Sequence, residues 1–279
     1  MTINCNGQLI SLNAPKVMGI LNVTPDSFYD GGKNMALTNI IKSTEKMLTD
    51  GATFIDVGGY SSRPGADDIL EAEELRRVIP VIEALVSTFP NIVISIDSFR
   101  SKVAKEAVNA GAAIVNDISG GLLDQKMLTT VGELGVPYVM MHMKGTPQNM
   151  KTKARYTDVV LEVIKHLSER LFAARAAKII DIIADPGFGF AKNIAQNFEL
   201  FSKLELLKNL DIPLLVGVSR KSMIYTSLEG SAETALNGTT ALNMLALEKG
   251  ANILRVHDVK EAVECITLYQ NIYRTDERS

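Results

Sequence analysis

The strongest constraint in this chain is a rhythm. Short apolar runs recur at Val17–Val23, Phe54–Gly58, Ile92–Asp97, Ala113–Ile118, Tyr138–Met143, Ile182–Asp185, Leu214–Val218 and Ile253–Val256. None alternates cleanly between apolar and polar residues, which suits strands buried on both faces. Between them lie helical patterns. Ala72, Leu75, Val78, Ile79, Ile82, Leu85, Val86 and Phe89 recur at three- and four-residue steps, as do Val160, Val163, Ile164, Leu167 and Leu171. Many units restart after Gly or Pro, at Asp50-Gly51, Pro90, Ala110-Gly111, Gly135-Val136-Pro137, Pro213 and Gly250. Eight such strands alternating with helices predict an α/β fold, a TIM (β/α)8 barrel in preference to a doubly wound open sheet. Strand count alone does not prove closure. No glycine-rich dinucleotide fingerprint follows the first strand, which counts against a Rossmann domain. Ile3 to Leu12, around Asn6-Gly7, reads as a small N-terminal β-hairpin plugging the bottom of the barrel.

Size and composition set the limits. With 279 residues, 46% of them hydrophobic, residues 1–279 are expected to form a single barrel domain. A net charge of −3 gives no field to attract nucleic acid, so an anionic substrate needs a few locally placed cations. The apolar runs are too short to span a membrane, and no secretory signal is visible. Cys5 and Cys265 lie far apart without metal-ligand spacing. They read as reduced thiols of a cytoplasmic protein.

In a TIM barrel the chemistry sits at the C-terminal strand ends. Here every end carries a polar or charged group. The first opens into a loop with Asn22, Thr24, Asp26, Ser27, Phe28 and Asp30, closed by Gly31-Gly32. The others carry Asp56 followed by Gly59-Tyr60-Ser61-Ser62-Arg63-Pro64-Gly65, then Asp97-Ser98, Asn116-Asp117, His142, Asp185-Pro-Gly-Phe-Gly-Phe190, Ser219-Arg-Lys-Ser222, and Arg255-Val-His-Asp258. Singly, each has a bland reading: Asp97-Ser98 and Asp258 as helix caps, Asp56 as a satisfied interior carboxylate. Together they do not, because buried carboxylates without partners are costly.

Two chemistries separate. Asp97, Asn116 and Asp185 can read the N–H edge of a flat heterocycle. Arg63, Arg220, Lys221, Arg255 and His257 can bind phosphate and neutralise a leaving group. Arg255 and His257, two apart on a strand, face the same side. Ser222 falls where a helix begins, a place for a carboxylate. His142 is expected to face the barrel interior as a packed polar group, and His166 to be surface filler. No histidine pair has zinc spacing; an oxygen ligand such as Asn22 suits Mg²⁺ held mainly by substrate phosphates.

These motifs resemble the dihydropteroate synthase family of pterin-binding barrels across essentially the whole chain. The likeness lies in Met18-Gly-Ile-Leu-Asn-Val-Thr-Pro-Asp-Ser-Phe28, Asp56-Val-Gly-Gly59 with Ser62-Arg-Pro-Gly65, Ser95-Ile-Asp-Ser98, Val115-Asn-Asp-Ile118, Met141-His-Met143 with Gly145-Thr-Pro147, Asp185-Pro-Gly-Phe-Gly-Phe190, Ser219-Arg-Lys-Ser222 and Arg255-Val-His-Asp258. The resemblance implies condensation of 7,8-dihydropterin-6-ylmethyl diphosphate with 4-aminobenzoate, releasing pyrophosphate. It implies pterin binding by Asp97, Asn116, Asp185, Lys221 and Arg255. The diphosphate falls to Asn22, Ser62, Arg63, Arg255 and His257. Phe28, Ser62, Arg63, Pro64, Phe190, Ser219, Lys221 and Ser222 match the aminobenzoate pocket. Asn22 matches the Mg²⁺ ligand, and Asp30 joins Asp97, Asp185, Lys221 and Arg255 as a catalytic group. A homodimer and sulfonamide binding are implied as well. Tyr60 and Ser62 depart from the pattern, standing where Glu and Thr are usual. Two rivals are a methyltetrahydrofolate-dependent methyltransferase barrel and a non-catalytic paralogue. The first needs neither the Thr24–Phe28 loop nor Ser219–Ser222, and the second should have lost strand-end groups.

Overall fold

The structure, a computed structural model, describes residues 1–23, 33–61 and 68–273. An antiparallel hairpin comes first, β1 (Thr2–Cys5) and β2 (Gln8–Ser11), with Cys5 paired to Gln8 across Asn6-Gly7. The eight predicted strands follow as β3 (Lys16–Asn22), β4 (Phe54–Gly58), β5 (Ile94–Asp97), β6 (Ile114–Asp117), β7 (Tyr138–Met141), β8 (Ile182–Asp185), β9 (Leu215–Val216) and β10 (Ile253–Val256). All neighbours in this sheet run parallel. A bridge between Ala184 and Leu214, with Ala184 N–H donating to Pro213 O at 2.9 Å, joins the two edges and closes the ring. Closure excludes the open-sheet alternative.

Helices cover the outside: α1 (Lys33–Thr49), α2 (Glu71–Thr88), α3 (Ser101–Asn109), α4 (Met127–Leu134), α5 (Val159–Ala176), α6 (Ile194–Ser202), the one-turn α7 (Ser222–Tyr225), α8 (Leu236–Glu248) and α9 (Val259–Tyr273). The periodic stripes face inward as expected. Val78, Ile82 and Leu85 of α2 and Val160, Val163 and Leu167 of α5 are buried in the core between barrel and helices. Each such side chain taken from water is worth about 1.5–3 kcal/mol.

Strand alternation divides the rest. Ile55, Val57, Ile94 and Ile96 point out to the helices. Met18, Phe54, Val93, Ile114, Val139, Ile183, Leu215 and Ile253 point in, near the strand starts, and pack with Ile3, Cys5, Ile10 and Leu12 of the hairpin. The hairpin therefore plugs the bottom, and the barrel is solid there. The same parity sends Asn22, Asp56, Asp97, Asn116, Asp185 and Arg255 inward near the opposite end, where the packing is polar.

Candidate active site at the barrel mouth

Strand register builds the floor of the mouth. Asn22 pairs with Gly58, Gly58 with Asp97, and Asp97 with Asn116, so four neighbouring strands carry one polar row. Gly58 has no side chain, which leaves the space between Asn22 and Asp97 open.

Arg255 reaches across this row from β10. Its Nε donates to Asp56 Oδ2 at 2.6 Å and a terminal nitrogen donates to Asp97 Oδ2 at 2.7 Å. Asn116 Nδ2 adds a third bond, to Asp56 Oδ2 at 3.0 Å. Asp56 is fully buried, so its charge depends on Arg255. Burial pushes the Asp97 carboxyl up to about 7; Arg255 opposes the shift, and Asp56 and Glu74 add to it. Asp56 stands among the strand-end groups of the sequence without an assigned role in the site. It is the anchor that aims Arg255, and its inward parity with Phe54, two residues before it, carried the signal.

The other half of the mouth comes from β8 and β9. Asp185 is buried, and burial raises its carboxyl while Lys221 and the Gly187 N–H oppose that. Its Oδ1 accepts from Gly187 N–H at 2.7 Å. Lys221 Nζ donates to Phe188 O and lies 4.9 Å from the centre of the Phe190 ring. Burial lowers the Lys221 ammonium to about 8, with Asp185 resisting and Arg255 assisting. Burial thus pulls Asp97, Asp185 and Lys221 toward neutrality, while Arg255's charge favours both carboxylates as anions and Lys221 as the neutral amine; an incoming cation would further favour the ionised carboxylates.

His257 stands at the rim, with Nδ1 3.0 Å from Ser219 Oγ, and Ser219 Oγ accepts its backbone N–H at 3.1 Å. Ser222 is exposed at the first position of α7. Asp97, Asn116, Asp185, Lys221, Arg255, His257, Ser219, Ser222, Phe190 and Asn22 therefore all border one mouth. Phe28, Asp30, Ser62, Arg63 and Pro64 lie outside the described residues. Among the described residues no cluster of three His, Cys, Asp or Glu could hold a metal. The exposed amide oxygen of Asn22 is a single hard donor, which fits Mg²⁺ carried chiefly by phosphate oxygens.

Three expectations are corrected. Arg220 is not a phosphate cation: Nε and a terminal nitrogen grip Asp258 at 2.8 and 2.7 Å, and a further nitrogen donates to Ala232 O at 3.1 Å. It clamps the β9 turn to the start of α9. His142 does not face the barrel interior: Met141 takes the inward position, and His142 packs outward, its ring 4.7 Å from that of His166. His166 is not surface filler. Burial lowers its imidazole to about 4, and it sits one turn from Val163 on the buried side of α5. Its charged sequence neighbours concealed this.

Tyr60, the departure in loop two, has a place of its own. Its hydroxyl accepts from Gln148 Nε2 at 2.6 Å, its ring meets Phe99 edge-on at 5.1 Å, and the Arg100 guanidinium lies 5.3 Å from it. Arg100 also donates to Glu74 at 2.5 Å and to Ile69 O at 2.6 Å.

Residues 18–257 match the family model for pterin-binding enzymes. The chain is 42% identical to the dihydropteroate synthase of Escherichia coli K12, over 97% of this chain and 96% of that one. A dihydropteroate synthase of Yersinia pestis in a sulfonamide drug complex superposes with a TM-score of 0.92 at 40% identity, covering 98% of this chain and all (100%) of that one. The Xanthomonas albilineans enzyme in complex with 7,8-dihydropteroate does so at 0.87 and 38% identity, covering 98% of each. With this barrel, this mouth and these relatives, the chain belongs to the pterin-binding enzymes, among the dihydropteroate synthases.

Proposed function

We propose that the mouth joins 7,8-dihydropterin-6-ylmethyl diphosphate to 4-aminobenzoate. The bond from the pterin methylene carbon to the diphosphate oxygen breaks, a carbon–nitrogen bond forms to the arylamine, and one amine proton leaves to solvent. The observation that carries this reading is the convergence of Asp97, Asn116, Asp185, Lys221 and Arg255 at one barrel mouth, Asn116 and Asp185 buried and Arg255 bonded to Asp97. Carboxylates and an amide suit the N–H-rich edge of a pterin. The flat guanidinium of Arg255, held by Asp56, suits stacking on the ring. Arg255 and His257 on one strand face suit the diphosphate, with Ser62 and Arg63 assigned to it by family resemblance.

A dissociative route follows from the electrostatics. Departure of pyrophosphate leaves positive charge on the pterin. Asp97 and Asp185 are carboxyls whose ionisation burial suppresses. Such groups are more stable as anions beside a cation, so they stabilise the developing charge more than the ground state. Asp30 is assigned the same task. The arylamine then attacks, held by Phe190, Lys221, Ser219 and Ser222, with Phe28, Ser62, Arg63 and Pro64 closing the pocket. Asn22 would hold Mg²⁺ together with the diphosphate, and the bound ion would neutralise charge on the leaving group.

Sulfonamides, as aminobenzoate mimics, should compete for this second pocket. A homodimer is proposed through α8 and α9, which expose Leu245, Leu268 and Ile272. No described helix is long and apolar enough to cross a membrane. By family resemblance the chain is read as a cytoplasmic enzyme with small-molecule substrates, and its net charge of −3 offers no field for nucleic acid. Residues 1–279 are read as a single domain. Incubating the chain with both substrates and Mg²⁺ and following pyrophosphate tests the reading. Release that requires the arylamine is expected; a folded protein that releases none refutes it.

A further inference from the structure

Behind the mouth, the turn after β8 is held by a buried lysine that the sequence motifs did not single out. Lys192 is 8% exposed. Its Nζ lies 2.8 Å from Gly187 O, 3.1 Å from Phe190 O and 2.9 Å from His142 Nδ1. Among the described residues no carboxylate is in direct contact with it, and Asp185 acts on it through space. Burial drives its amine well below the usual lysine range, and lowers His142 too. Nζ has three partners at hydrogen-bond distance: it donates to the two carbonyls, and its third contact is the His142 ring nitrogen.

The turn it holds is tight. Gly187 and Gly189 have φ of +68° and +81°. A Cβ on Gly187 would sit 2.1 Å from His142 O, so the residue just after strand β7 presses on this turn with its backbone, and its ring reaches Lys192. What the turn presents is functional surface. Phe188 O accepts from Lys221, and the Phe190 ring lies beside the same ammonium.

We propose that Lys192, oriented by His142, is a positioning residue that sets Phe190 and Lys221 for the second substrate. This rests on the reaction assigned above. It accounts for a buried lysine whose three contacts are two carbonyls and a ring nitrogen at the centre of this turn, with Asp185 acting on it through space. Of the groups assigned to the pterin, Asp97, Asn116 and Arg255 lie on β5, β6 and β10, away from this turn, while Asp185 accepts from the turn's Gly187 N–H. Pterin recognition should therefore survive its loss better than aminobenzoate recognition.

The test compares Lys192→Met, His142→Leu and His142→Asn with the wild-type enzyme. Asn keeps a hydrogen-bonding group near the place of Nδ1. Lys192→Met should raise KM for 4-aminobenzoate about tenfold, the size of losing two buried hydrogen bonds, and change pterin affinity by less than about threefold. His142→Leu should shift the same KM in the same direction, and His142→Asn should restore it. Wild-type turnover in the same assay establishes the reaction itself, so its absence would refute that reading and not this one. With wild-type turnover present, three results overturn the proposal: unchanged KM in both Lys192→Met and His142→Leu, equal loss of both affinities, or no rescue by Asn. Should Lys192→Met not fold, the His142 pair decides alone.

Discussion

Replacing Arg255 by Met should leave a protein whose stability deficit grows with pH. Arg255 is the shared counter-charge of Asp56, whose side chain is 0% exposed, and of Asp97, 14% exposed, at 2.6 and 2.7 Å. Met keeps the bulk of the side chain and removes the charge. Breaking a buried pair by deleting one partner costs about 3–5 kcal/mol, a large part of the roughly 5–15 kcal/mol that holds a domain folded. The variant has one escape, which is to protonate Asp97. That carboxyl already stands at about 7 with Arg255 in place, above the unfolded value of about 3.9. The folded state thus holds the extra proton. Its stabilising share is complete below the unfolded pKa and lost as pH rises through the folded one. Removing Arg255 lifts the folded pKa further and moves this loss upward. Between about pH 7 and pH 9 the gap between variant and wild type should widen by up to about 1.4 kcal/mol per pH unit. The chain has no tryptophan, so urea unfolding is best followed by far-ultraviolet circular dichroism. A gap that stays constant or narrows across that range would refute the shared-counter-charge argument.

Other outcomes follow from the same geometry. Asp185→Asn should weaken pterin binding by about 1.5–3 kcal/mol, the worth of a charge-assisted hydrogen bond; calorimetry with the unreacted pterin checks this. Pterin affinity should be bell-shaped in pH, lost on the acid side as Asp97 protonates near 7 and on the alkaline side as Lys221 deprotonates near 8; Asp97→Asn should erase the acid limb in a fluorescence titration. Gly132→Ala would set a Cβ 1.9 Å from Ala177 O between α4 and the end of α5. It should cost about 1–3 kcal/mol by overpacking, read as a lower urea midpoint, with kcat unchanged.

The barrel was legible because buried parallel strands are written as apolar runs. β8 and β10 match their expected spans, and β3 differs by one residue at each end. The run Leu214–Val218 shrinks to Leu215–Val216, since Leu214 serves the closing bridge and Gly217-Val218 begin the turn. Asp97, Asn116, Asp185 and Arg255 were legible because strand parity fixes which side chains face inward. What the sequence hid was pairing. Whether Arg220 meets a phosphate or Asp258 depends on two turns meeting 38 positions apart. His142 faces outward because it stands one residue past inward-facing Met141, and Lys192 is hidden because a lone lysine reads as surface. Neighbours in sequence do not reveal either position. Burial is decided by neighbours in space.

The central claim is that the row formed by Asp97, Asn116, Asp185, Lys221 and Arg255 receives a pterin. A crystal structure with a bound, unreactive pterin measures this directly. The ring should lie within the mouth, its N–H edge hydrogen-bonded to Asp185 and Asn116 and its face against the Arg255 guanidinium. A pterin bound elsewhere, or bound in the mouth without contact to those carboxyl and amide groups, would contradict the account.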